Sequence, residues 1–378
     1  MPQHARAKRT LLCLKREKGR TPVNIVIGGL EEATPDWLTI ILSQRGFLLK
    51  GKVQALKVTR IHTEQAHSIG YFLAVEYTAN TVLEGAPTRL YLKLPKPDAD
   101  PQNFVKEAQR EIRLYQAFMS PQQVLPIIPC YDAIYDPHQQ RYHLLLDDLS
   151  GTHEQPAWHL TIAEHHMAQT VEALAAFHAY WWNHPQLNNG IGELPTTTSL
   201  TQELARLQGL YPRFLENWKD QLSSDDQGIY ECLLDALPAF WERRKTLQGQ
   251  TLIHGDAHFW NFLYPVDPQK HRTYLLDWQT YRISSGTDDL AYTIILRYPH
   301  RTKANELGWV KCYHEGLLRH GVTGYSWEQC WHEYRRSTAE QLLVTLNWAG
   351  WASNGRYIQR ALTGFRDLAC NELLHSAW

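Results

Sequence analysis

The sequence predicts an α+β protein of two lobes: a small N-terminal lobe built on an antiparallel sheet, and a larger, mainly helical C-terminal lobe. Three observations carry this. Segments rich in β-branched and aromatic residues, with period-2 stretches, crowd residues 51–147. From Thr161 onward the apolar spacing is mainly helical, interrupted by short strand-like stretches around 251–283. A chain of 378 residues with 43% hydrophobic and 20% charged residues is long and apolar enough for one large domain or two lobes. The expected divisions are a basic tail over 1–28, a sheet lobe over 29–147 and a helical lobe over 148–378.

Residues 1–21 hold seven Lys or Arg against one Glu. Their apolar run, 11–14, is too short for a signal-peptide core, so the segment reads as a solvated tail. Thr34-Pro35-Asp36-Trp37 then opens a helix, with Thr as N-cap, Pro in the first turn and Asp against the dipole. That helix is expected to end near Gly46. Residues 53–59, 71–77 and 88–94 read as strands, the third stopped by Pro95, Pro97 and Pro101. A helix follows from about 103 to 119, then a strand pair over 133–135 and 142–146. Thr161 with Glu164 has the form of a capping box for the next helix.

Composition narrows the partners. Lys plus Arg number 38 against 39 Asp plus Glu, a formal net charge of −1. That balance argues against nucleic acid as the main partner, yet leaves room for a small phosphate site needing one or two cations. No run approaches the 18 apolar residues of a membrane span, so no membrane partner is expected. The six cysteines are scattered and form no C-x-x-C pair, which favours a reduced, cytoplasmic setting.

The chemistry concentrates in Leu252-Ile253-His254-Gly255-Asp256-Ala257-His258-Phe259-Trp260-Asn261. Strand-like Phe262-Leu263-Tyr264 follows, then a turn and Thr273-Tyr274-Leu275-Leu276-Asp277. Two apolar strands joined by a polar turn make a hairpin. Asn261 and Asp277 flank its open end and face each other across it. An amide oxygen and a carboxylate held there suit a hard cation such as Mg²⁺. Asp256, on the loop leading in, is placed to orient a hydroxyl and accept its proton.

This H-G-D-x-x-x-x-N pattern followed by D-W-Q resembles the catalytic and metal loops of the protein-kinase-like fold in its small-molecule branch. That branch includes aminoglycoside phosphotransferases, choline kinases and ecdysteroid-kinase-like proteins. The Asp256-to-Asn261 spacing matches the kinase catalytic loop, and Gly286-Thr287-Asp288-Asp289-Leu290-Ala291 resembles the D-L-A that follows. Such a kinase needs a strand lysine for the nucleotide phosphates and a helical glutamate to hold it. Lys93 lies on a predicted strand. Glu111 falls within the apolar stripe Phe104, Ala108, Ile112, Tyr115 and Met119, where an unpaired carboxylate is costly, so Lys93 is its expected partner and Glu107 the fallback. Leu144-Leu145-Leu146-Asp147-Asp148-Leu149 looks like the family's lobe crossover. The resemblance implies that the backbone around Leu146 and Asp148 holds the adenine edge. Leu174-Ala175-Ala176-Phe177-His178-Ala179 is similar to the family's L-A-x-F-H-A, and His178, on the apolar stripe, reads as a satisfied core histidine. The loop Thr63-Glu64-Gln65-Ala66-His67-Ser68-Ile69-Gly70 has one glycine where protein kinases have a glycine-rich run, which leaves backbone N–H groups near 66–68 to cover the phosphates.

The resemblance implies an ATP- and Mg²⁺-dependent kinase acting on the hydroxyl of a small-molecule alcohol. The alternatives are a zinc hydrolase using His254, Asp256 and His258, and a non-catalytic kinase fold that only binds a nucleotide. Acceptor candidates are an aminoglycoside, an amino alcohol, an apolar alcohol and a sugar. Trp181, Trp182, Trp260, Trp348 and Trp351 are expected to wall the acceptor pocket, which suits an apolar body or a single ammonium. Glu315, Glu328 and Glu333 are interleaved with Arg, Lys and His, so a neutral or monocationic alcohol is favoured over a polycation.

Overall fold

The computed structural model describes residues 25–63, 67–83, 85–100, 104–119, 125–157 and 162–375. Most of the basic tail, the Glu64-to-Ala66 part of the expected phosphate loop and Thr161 of the expected capping box therefore lie outside the described residues.

Helix α1 (Pro35–Gln44) begins as its sequence dictates: the Thr34 hydroxyl accepts from the Trp37 N–H at 3.2 Å and Pro35 fills the first turn. It closes at Gly46, whose φ of +81° reverses the chain. The chain then runs through β1 (Leu48–Lys50), β2 (Val53–His62), β3 (Ser68–Tyr77), β4 (Val82–Leu83) and β5 (Arg89–Pro95) into helix α2 (Val105–Ala117), then β6 (Cys130–Asp136) and β7 (Arg141–Asp147). An antiparallel sheet has the order β2-β3-β5-β7-β6, while β1 and β4 make a separate pair.

Strand alternation gives this sheet two apolar faces. On one, Leu73, Val75, Leu90, Leu92 and Leu145 pack with Trp37, Leu38, Ile41 and Leu42 of α1. On the other, α2 buries Ala108, Glu111, Ile112, Leu114 and Tyr115. Ile112, Leu144 and Leu146 share one continuous apolar core with the helical part of the chain.

The second part contains β8 (His153–Glu154), α3 (Glu164–Trp181), α4 (Thr197–Trp218), α5 (Ser224–Trp241), β9 (Thr251–Ile253), β10 (Phe262–Pro265), β11 (Tyr274–Leu275), β12 (Arg282–Ser284) and α6 (Thr287–Ala291). A π-helix (Tyr292–Arg297) follows, then α7 (Lys303–Arg319), α8 (Trp327–Asn347), α9 (Gly355–Asp367) and α10 (Asn371–His375). Reciprocal capping boxes start α4, α5, α7 and α8, at Thr196, Ser223, Thr302 and Ser326. Helix α3 differs from expectation: its N-cap is Ala163, without a side-chain cap. Antiparallel β9 and β12 carry the loop that begins at His254, and β10 pairs with β11 and β8. The five described cysteines are unpaired. Among the described residues no helix is long and apolar enough to cross a membrane.

Candidate active site

The β10–β11 hairpin pairs Phe262 with Leu275 and Leu263 with Tyr274. Beyond the pairing, the Leu276 N–H donates to the Asn261 carbonyl at 2.8 Å. The hairpin's open end thus lies between Asn261 and Asp277. Asn261 is buried, and its amide nitrogen donates to the Asp256 carbonyl at 2.9 Å and approaches Asp256 Oδ2 at 3.3 Å. That nitrogen is spent on the loop, which leaves the amide oxygen for a ligand. Asp277 is exposed, with its backbone in the left-handed region at φ 59°.

The loop before it is tightly specified. Buried His254 meets the Leu276 carbonyl through Nε2 at 2.6 Å, and its Nδ1 accepts from the Asp256 N–H at 3.2 Å. Gly255 has φ +85°, and a Cβ there would stand 2.5 Å from the Thr280 carbonyl oxygen, so the position requires glycine. The Asp289 carboxylate accepts the N–H groups of His254 at 2.6 Å and Gly255 at 2.8 Å. Behind it, His178 lies 3.3 Å from Asp289 through Nε2 and 2.8 Å from the Tyr313 hydroxyl through Nδ1. His178 is therefore a fully buried, satisfied core histidine that steadies the loop through Asp289. Sequence reasoning singled out Asp289 only as part of D-L-A. Its anchoring of His254 and Gly255 depends on a 35-residue separation that no local pattern displays.

Asp256 borders a cleft of about 1230 Å³. Its Oδ1 accepts from the Tyr292 hydroxyl at 2.7 Å, and His258 Nε2 stands 3.5 Å from Oδ2. Burial pushes the His258 pKa down to about 4, against the opposing pull of Asp256, so the ring is neutral near pH 7. Both ring nitrogens of His254 are engaged. Among the described residues, no group of three or more His, Cys, Asp or Glu is arranged to hold a metal ion. This donor arrangement does not support the zinc-hydrolase alternative. It remains compatible with Mg²⁺, which binds through one or two carboxylates together with substrate phosphates.

Lys93, opposite Gly70 and Leu144 in the sheet, meets Glu111 of α2 at 2.7 Å, and both side chains are about 6% exposed. Burial works against the Lys93 ammonium. The charges of Glu111 and then Asp277 outweigh it, holding the Lys93 pKa above its usual value. The influence of Asp277 ties the ion pair electrostatically to the hairpin end. Glu107, the fallback partner, is exposed. Leu146 is buried in β7, opposite Tyr91 and Cys130. Asp148 accepts from Arg89 Nε at 2.9 Å and from the Ser150 N–H and hydroxyl at 2.9 and 2.6 Å. Its carboxylate fastens the crossover, so any nucleotide contact at Asp148 falls to the backbone.

The expected aromatic wall is largely absent from the cleft. Trp181 is fully buried core, Trp182 lies tilted against Tyr325 beside a different cavity, and Trp351 lies against Tyr357. Trp348 does line the cleft, joined by Trp241. Helical spacing alone does not separate a tryptophan facing the cleft from one facing the core.

The ecdysteroid kinase-like family matches the chain over residues 103–322, more than half its length. No curated protein matches it. Among solved structures, a Ralstonia eutropha protein described as an aminoglycoside phosphotransferase is 16% identical, with a TM-score of 0.51 over 90% of this chain and 98% of that chain. An ethanolamine kinase of Plasmodium vivax is 13% identical, with a TM-score of 0.45 over 82% of this chain and 81% of that one. At such identity the likeness to the Ralstonia eutropha structure bears on the fold alone, the bilobal α+β architecture of kinase-like proteins.

Proposed function

Because the chain belongs to the ecdysteroid kinase-like family, whose members are small-molecule kinases, we propose that it transfers the γ-phosphoryl group of ATP to a hydroxyl of a small-molecule alcohol. The observation that carries this reading is the buried 2.7 Å Lys93–Glu111 pair with the charge of Asp277 acting on it. A buried ion pair of this kind is costly to build. Its cost is understandable where one lysine must meet nucleotide phosphates beside a metal site.

In this reading Asp256 orients the acceptor hydroxyl and takes its proton as the P–O bond to the acceptor forms. Lys93, fixed by Glu111, holds the phosphates. Asn261 and Asp277 hold Mg²⁺. When bound, the metal neutralises developing charge on the transferring group. The backbone around Leu146 and Asp148 receives the adenine edge. His254 shapes the loop and moves no proton, since both of its nitrogens are engaged.

The acceptor is a neutral alcohol in preference to an ammonium or a polyamine. The cation seat beside Trp348 is filled by the chain's own Arg297, 4.9 Å from the ring. Two cleft carboxylates, Glu203 and Glu340, are paired with Arg206 and Arg244. The test is nucleotide consumption across a panel of hydroxylated metabolites matched for size, in neutral, ammonium and polyamine forms. Turnover of neutral members is expected. Turnover confined to polyamines would overturn the acceptor assignment, and no turnover of any alcohol would overturn the kinase reading.

A further inference from the structure

Asp256 is held from behind by a phenol, and that phenol by a buried guanidinium. The Tyr292 hydroxyl donates to Asp256 Oδ1 at 2.7 Å. Arg297 Nη2 donates to the Tyr292 oxygen at 2.5 Å, and Nη1 to the Tyr357 oxygen at 3.2 Å. Arg297 is 7% exposed. Its guanidinium carbon lies 5.0, 4.9 and 5.0 Å from the ring centres of Tyr292, Trp348 and Tyr357.

A buried cation is costly without compensation. Three ring faces supply part of it. Among the described residues Arg297 has no carboxylate partner, and its Nε has no hydrogen-bond partner. The anion it reaches is Asp256, one phenol away. Burial, followed by the charge of Asp256, raises the Tyr292 pKa, so the hydroxyl keeps its proton and can donate to the carboxylate.

The backbone is built for this contact. Tyr292 and Arg297 are the first and last residues of the π-helix. Five residues apart, they would point to different faces of an α-helix. The wider i-to-i+5 turn brings them to one side. Such turns are rare, recur at functional sites, and here the turn leads directly to the loop carboxylate.

We propose that Tyr292 and Arg297 are positioning residues for Asp256. Their cation–phenol–carboxylate relay engages Oδ1 and fixes the carboxylate, so that Oδ2, which Asn261 Nδ2 and His258 Nε2 approach at 3.3 and 3.5 Å, turns its remaining lone pair to the acceptor hydroxyl. The proposal rests on the reading of Asp256 as the base.

The test is a double-mutant cycle on the urea-unfolding midpoint of the full chain, using Asp256→Asn and Arg297→Met, run with Tyr292 and again with Tyr292→Phe. The relay predicts that the double variant shifts the midpoint by less than the sum of the single shifts, and that the discrepancy shrinks in the Tyr292→Phe background. Arg297→Lys, which keeps the charge, should retain most of the interaction and so give shifts nearer to additive than Arg297→Met; if Arg297→Met does not fold, Arg297→Gln, which also removes the charge, takes its place in the cycle. In nucleotide turnover, Arg297→Met should lower kcat about 10–100-fold while leaving the KM for ATP unchanged. Additive midpoint shifts, or loss confined to KM, would overturn the relay. Full turnover by Asp256→Asn with the coupling intact would instead defeat the base assignment and leave the electrostatic relay standing, so the two failures are distinguishable.

Discussion

Gly255 shows how little freedom the loop has at single residues. Gly255→Ala adds a Cβ 2.5 Å from the Thr280 carbonyl at a left-handed φ of +85°. We expect a loss of at least about 2 kcal/mol, from left-handed strain plus backbone displacement, seen as a lowered chemical-unfolding midpoint. Lys93→Ala should weaken ATP binding severely with the fold retained, because Glu111 can then protonate; calorimetric titration with ATP checks it, and unchanged affinity would remove Lys93 from the phosphate site. At this scale the sequence exposes residues whose pattern is local. Asp256, Asn261 and Asp277 are separated by short, regular stretches, and Glu111 stands out as a charge inside an apolar stripe. The anchoring role of Asp289 escapes notice, as do Tyr292 and Arg297 altogether, since their contacts arise from chain crossings and from a helix with an unusual turn. The tryptophans mislead for a related reason: burial and cleft-lining demand the same apolar bulk.

Among elements, the docking of α2 on the sheet buries one ion pair, Lys93–Glu111, within its apolar face. Glu111→Ala leaves the Lys93 ammonium buried without its partner, and we expect a cost of about 3–5 kcal/mol. Replacing both partners, Lys93→Met with Glu111→Leu, should cost far less because no charge is stranded. Comparing urea midpoints of the two variants checks this, and equal losses would show that packing, not charge, fixes the helix. The strands of the sheet are legible because period-2 alternation with β-branched residues has few competing readings. Their ends shift by a few residues because pairing partners, not propensity, decide where a strand stops. The π-helix is illegible: Tyr292-Thr293-Ile294-Ile295-Leu296-Arg297 carries no Gly or Pro and continues α6 without a break signal. The start of α3 at Ala163 shows the converse, a helix beginning without a side-chain cap because the burial of Met167, Val171 and Leu174 fixes it.

For the whole molecule, acid stability carries the signature of His258. Its pKa falls to about 4 in the folded chain, against about 6.5 when unfolded. Well above pH 6.5 the ring is neutral in both states and contributes nothing. As the pH drops toward 4 the unfolded chain takes up the proton first, and about 3 kcal/mol of stability is lost through this group. His258→Asn should flatten that limb in unfolding midpoints measured from pH 7.5 to 4.5; an unchanged limb would mean the ring charges freely in the fold. The two-lobe plan was readable from the switch between period-2 and helical spacing. The continuity of one apolar core from α2 and β7 into the helical part was not, since it depends on which strand face meets which helix. We propose that Asp256 drives phosphoryl transfer to an alcohol. The most direct test is ³¹P NMR of the wild-type chain and Asp256→Asn, each incubated with ATP, Mg²⁺ and the neutral alcohol panel. We predict a new phosphomonoester signal that grows with ADP in the wild type and falls by at least about 100-fold in the variant. An equal phosphomonoester signal from both proteins would contradict the account.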